Sequence, residues 1–79
     1  MNKKELKKKL DELNIYPRFY SLEGTLLPDR MVLYHSYNDW IVFYFDERGN
    51  RNQEITFSSE QEACQYLYEH FKRQKEHQK

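Results

Sequence analysis

Six consecutive apolar or aromatic residues, Trp40-Ile41-Val42-Phe43-Tyr44-Phe45, constrain this chain more than any other feature in it. Successive side chains of an extended strand point to opposite faces. Trp40, Val42 and Tyr44 therefore share one face, and Ile41, Phe43 and Phe45 share the other. Large side chains on both faces define a central strand, with Asp46-Glu47-Arg48-Gly49-Asn50 as the turn that ends it. Gly49 or Asn50 can supply a positive φ there.

The elements around this strand follow from local signals. Asn2 can cap a first helix, Glu5 stands three residues on as in a capping box, and Leu6, Leu10 and Leu13 recur at helical spacing over about residues 2 to 13. Asn14 suits the left-handed position that ends a helix, Ile15 can pack back on the last turn, and Pro17 forbids continuation. Tyr16 to Leu22 reads as a short edge strand, with Tyr16, Arg18, Tyr20 and Leu22 on one side. Glu23-Gly24 and Pro28-Asp29 punctuate a loop. Met31 to Tyr37 is the next strand, Asn38-Asp39 a turn, and Gln53 to Phe57 the last strand. Ser58 or Ser59 caps a second helix, because Gln61 and Glu62 follow at the capping-box interval and acidic residues fill the first turn. Ala63, Tyr66, Leu67, His70 and Phe71 form its inner stripe.

The fold class that results is α+β: helix, three to four antiparallel strands, helix, in a two-layer sandwich with both helices on one face of the sheet. Residues 1–73 are expected to form a single domain and residues 74–79 a frayed tail. The helices are expected to cover Ile41, Phe43 and Phe45, leaving Trp40 and Tyr44 on an open face, with the reverse assignment as the alternative; on either, an exposed aromatic patch would mark an interaction surface.

Composition restricts the function classes. A chain of 79 residues has room for one small core, and seven Tyr, five Phe and one Trp supply it with large rings. The 33% charged fraction and the mean hydropathy of −1.11 resemble those of disordered chains, but a net charge of zero and abundant aromatics do not. Charge is segregated along the chain. Residues 1–30 carry seven basic and five acidic groups, residues 31–71 two and seven, and residues 72–79 four and one. A single cysteine rules out an internal disulfide, no leader-like apolar run follows the basic N-terminus, and no stretch is apolar enough to span a membrane. A cytoplasmic location is expected, with no membrane partner.

No catalytic, cofactor or metal site is expected. Cys64 reads as a small buried hydrophobe, and His35 and His70 as structural imidazoles. No recurring close spacing of His, Cys and carboxylates suits a metal, and Gly24 and Gly49 are too isolated to form a phosphate loop. The element order is also that of double-stranded RNA-binding domains, which place lysines at the start of the second helix. Ser58-Ser59-Glu60-Gln61-Glu62 stands there instead, so no nucleic-acid partner is expected. Lys3, Lys4, Lys7, Lys8 and Lys9 read as a solvated helix face.

Tyr20-Ser21-Leu22-Glu23-Gly24, Trp40 with its strand, Glu47-Arg48-Gly49, and Phe57-Ser58-Ser59-Glu60 followed by Glu62-Ala63-Cys64 and Tyr66 together resemble small immunity proteins of bacterial polymorphic toxin systems. The resemblance covers roughly residues 16 to 71. It implies a bacterial cytoplasmic protein, not an enzyme, that binds and neutralises one cognate toxin. An acidic middle segment suits a basic partner surface. Asp39, Trp40, Tyr44, Asp46, Glu47 and Arg48 are the expected partner-binding residues. A small self-associating accessory or regulatory protein, acting as a homodimer, is the alternative.

Overall fold

The computed structural model describes residues 1–77. Helix α1 (Lys3–Glu12) is capped by Asn2, whose Oδ1 accepts from the Glu5 N–H at 2.8 Å. It ends in a Schellman turn: the Ile15 N–H donates to the Leu10 carbonyl and the Asn14 N–H to the Asp11 carbonyl, with Asn14 at φ +61°. A single 3₁₀ turn, Pro17–Phe19, follows, with proline at its first position where a missing N–H costs nothing.

The strands are β1 (Tyr20–Ser21), β2 (Arg30–Ser36), β3 (Asp39–Phe45) and β4 (Arg51–Phe57), in the spatial order β1-β2-β3-β4. Strands β2, β3 and β4 form an antiparallel meander, as expected. Strand β1 pairs with β2 in parallel, through Tyr20 with Met31 and Ser21 with Val32, so the sheet is mixed rather than antiparallel. Of the expected first strand, Tyr16 to Leu22, only Tyr20–Ser21 is strand, and Pro17–Phe19 is the 3₁₀ turn instead, because Pro17 cannot donate to a ladder. The β2–β3 turn falls on Tyr37 and Asn38, one residue before the expected position. Helix α2 (Glu60–His77) is capped by Ser59, whose Oγ accepts from the Glu62 N–H at 3.2 Å. It runs without a break through residues 74–77. The last two residues of the expected tail lie outside the described residues.

One buried cluster joins Leu6 and Leu10 of α1, Ala63, Cys64, Leu67 and Phe71 of α2, Tyr20 of β1, and Met31, Leu33 and Val42 of the sheet. Trp40, Tyr44 and Phe57 pack against it. The expected burial of the two β3 stripes is therefore reversed: the Trp40-Val42-Tyr44 stripe meets the helical core, and Ile41, Phe43 and Phe45 lie on the second face. The reason sits in β4. Its two apolar side chains are registered opposite this stripe, Ile55 with Val42 and Phe57 with Trp40.

A β-bulge then reshapes the second face. Between Val42↔Ile55 and Tyr44↔Asn52, one residue of β3 faces two of β4, and Gln53 takes φ +55°. Without the extra residue, alternation from Phe57 and Ile55 would turn Arg51 toward the helices. With it, Arg51 lies on the second face, its guanidinium 4.6 Å from the Phe43 ring centre and 5.7 Å from that of Tyr34. Phe43 is thereby fully covered. Gly24, at φ +78°, also packs on this face: a Cβ there would stand 3.2 Å from Cδ2 of Tyr34.

Candidate functional site

Among the described residues, four other than glycine hold positive φ, and three of them, Asn14, Asp29 and Gln53, line one groove. Strained backbone of this kind persists where surrounding structure enforces it and concentrates at functional sites. The groove encloses about 620 Å³ where the start of β2, the end of β3 and the C-terminal half of α2 meet. Ile15, Met31 and Phe71 give it apolar walls, and Tyr16 and Phe19 stand at its rim. These two rings are 61% and 42% exposed. The 3₁₀ turn holds them near one another, with ring centres 6.4 Å apart and the Arg18 guanidinium 5.6 Å and 5.1 Å from their centres.

Polar groups converge on the opposite wall. The Tyr44 hydroxyl donates to Asp29 Oδ1 at 3.2 Å. Partial desolvation raises the Tyr44 phenol above its ordinary pKa, and the Asp29 hydrogen bond and the charges of Asp29, Asp46 and Glu47 add to the effect. His70 is set between Tyr66 and Phe71, with ring centres 6.4 Å and 5.3 Å away. Burial, with a smaller contribution from Arg73, lowers its pKa and favours the neutral imidazole.

The structure divides the six residues expected to bind a partner. Asp39 and Trp40 stand at the start of β3. Tyr44, Asp46, Glu47 and Arg48 stand at or just beyond its end, about 13 Å or more along the strand from Trp40 at about 3.3 Å per residue. Trp40 is half-buried and stacks on His35 with ring centres 3.9 Å apart and planes within 4°. Asp46 organises the β3–β4 turn. Its Oδ1 accepts from the Arg48 and Asn50 N–H groups at 2.9 Å and 2.8 Å, and its Oδ2 from the Asn52 amide at 3.1 Å. These bonds, the one from the Asn50 backbone foremost, hold its carboxyl below the usual range. Glu47 and Arg48 project into solvent at the turn. Of the six, only Tyr44 lines the groove.

Sequence reasoning placed Tyr16 in a strand, took His70 as an inner-stripe residue, and missed Phe19, Asp29 and Gln53 as site residues. Pro17 between two rings was the available signal for the rim, because it breaks the strand that would have set them on opposite faces. Cys64 is buried, and burial, with the Glu60 charge behind it, pushes its thiol up to about 11, so it is protonated at neutral pH. Among the described residues, no group of three or more His, Cys, Asp and Glu side chains could hold a metal ion. Among them too, no helix is long and apolar enough to cross a membrane.

Fold and groove together define a small α+β domain with an aromatic-rimmed cleft at one end of its sheet. No family model matches the chain, and no curated protein and no solved structure matches it either.

Proposed function

We propose that this chain is a protein-binding domain which acts by occupying its partner rather than by catalysis, in the manner of the bacterial immunity proteins it resembles. The observation that carries this reading is the pair of exposed rings, Tyr16 and Phe19, on the rim of an apolar groove. Aromatic side chains beside a pocket are the usual anchors of an interface, and contacts of that kind hold most of the binding energy. The occupant is an apolar side chain on a protruding segment of a toxin, flanked by basic residues that meet Asp29 and Glu47. The reading takes the domain as a two-layer sandwich in the cytoplasm, with both helices over the Leu33–Val42 side of the sheet. The single cluster shared by both helices and that stripe supports this layering.

The test is co-expression with each protein encoded beside its gene, scored as growth or death. Rescue is expected from the wild type and is expected to fail with Tyr16→Ala/Phe19→Ala. These exposed positions can be truncated with little effect on folding, and losing two anchors weakens binding by at least about tenfold. Death of cells carrying the wild type with every neighbour refutes the reading.

One observation favours self-association as a second reading: β4 is an edge strand of seven residues. Sedimentation velocity decides it, since a pairing along β4 doubles the sedimenting mass at raised concentration.

A further inference from the structure

A second groove runs between α1 and the edge strand β1 and encloses about 800 Å³. Four cationic side chains line it, Lys3, Lys4 and Lys7 from α1 and Arg30 from the start of β2, against two carboxylates, Glu23 and Glu60. Helical spacing turns the three lysines to one flank. Lys9 lies on the other flank, its ammonium 5.3 Å from the Tyr68 ring centre. Lys3 pairs with Glu23 at 3.0 Å and Lys7 with Asp11 at 3.3 Å. Lys4 and Arg30 pair with no carboxylate among the described residues, and Arg30 makes one hydrogen bond, to the Pro17 carbonyl at 3.3 Å.

Both helices begin at this groove. The Lys3 N–H, in the first turn of α1, donates to Oε2 of Glu60, the first residue of α2, at 3.4 Å. The positive ends of two helix dipoles therefore meet here, and a carboxylate of the chain itself already sits on one of the free amides. The floor holds an unused donor as well. Tyr20 lines the groove and is 5% exposed, yet its hydroxyl has no hydrogen-bond partner. Lys7, on the groove wall, and Asp11 are the charges that act on that hydroxyl. A buried donor left unpaired costs stability unless something else satisfies it.

We propose that this groove binds a small phosphate-bearing ligand, with Lys4, Lys7 and Arg30 on the phosphate oxygens and the Tyr20 hydroxyl donating to one of them. A phosphate offers several oxygens and close to two negative charges, so cations from a helix and a strand can engage it together. A lone carboxylate offers two oxygens and one charge, which Glu23 and Glu60 already provide. Releasing Lys7 from Asp11 costs little, because an exposed pair at this helical spacing is weakly held.

The test is titration of isotope-labelled protein with inorganic pyrophosphate at constant ionic strength, followed by amide chemical shifts, with sodium chloride and citrate as parallel arms. Saturable shifts confined to Lys3, Lys4, Lys7, Tyr20 and Arg30 are expected. Lys4→Gln and Arg30→Gln are each expected to weaken binding by about tenfold, the effect of one charge-assisted contact. Tyr20→Phe is expected to weaken it by about threefold or more. That variant loses a hydroxyl that bonds nothing in the free protein, so its fold persists, as the dispersion of the same spectra verifies. Lys8→Gln, exposed and outside the groove, is expected to change nothing. Shifts that chloride reproduces, shifts spread over every basic segment, or wild-type affinity in Tyr20→Phe overturn the proposal. Tighter binding of citrate overturns the phosphate assignment. No partner protein enters this test, so its outcome is independent of the toxin-binding reading.

Discussion

Tyr37 is the one aromatic residue with positive φ among the described residues. It occupies the β2–β3 turn at φ +54° with its ring 95% exposed, so the strain of a bulky side chain in the left-handed region is not offset by packing. Such positions cost of order 1–3 kcal/mol. Tyr37→Gly is expected to stabilise the domain by about 1 kcal/mol, seen in thermal unfolding as a rise of about 4–8 °C. An unchanged or lower midpoint would mean that the ring makes stabilising contacts after all. Residue-level features were legible where one physical signal dominated: Asn2 as a cap, Asn14 in the left-handed position, Cys64 as a small buried group. Tyr37 was not legible, because Asn38-Asp39 beside it carries the stronger turn signal and the hairpin register, set across the whole strand pair, decides which residues turn.

Among the elements, β4 shows what alternation can and cannot reveal. Its apolar residues Ile55 and Phe57 identify the face of β3 that meets the helices, and that signal was available in the sequence beside the ambiguous six-residue run. The bulge at Gln53 was not available, since no local propensity marks a glutamine for positive φ. Its effect on Arg51 can be measured. Arg51→Ala removes the cation from the faces of Phe43 and Tyr34 and is expected to cost about 0.5–1 kcal/mol in denaturant unfolding, in line with a partly exposed cation–π contact. A neutral result would mean that the guanidinium is merely resting on the rings. The groove was not available in the sequence either: Asn14, Asp29 and Gln53 are far apart in it, and two turns and the bulge bring them together.

For the whole molecule, the α+β class, the order of elements and the antiparallel meander were all legible, because caps, breakers and periodicity each act over a few residues. The direction of β1 was not, since period and propensity are the same for parallel and antiparallel strands. Nor was the groove, which shares only Tyr44 with the residues expected to bind a partner, because a 3₁₀ turn rather than a strand carries Tyr16 and Phe19 to it.

The parallel pairing of β1 spans only two residues, whereas the meander is closed by short turns and by α2 immediately after it. This asymmetry predicts a division of labour in how the native state opens. Amides of β2, β3 and β4 are expected to exchange with solvent deuterium only through global unfolding. Those of β1 and the adjoining N-terminal turns are expected to exchange at a lower opening free energy, as a separate cooperative unit. The chain therefore carries a latch at its N-terminal end, fastened by two rungs of ladder and a helix, and anything that grips both parts will slow its release.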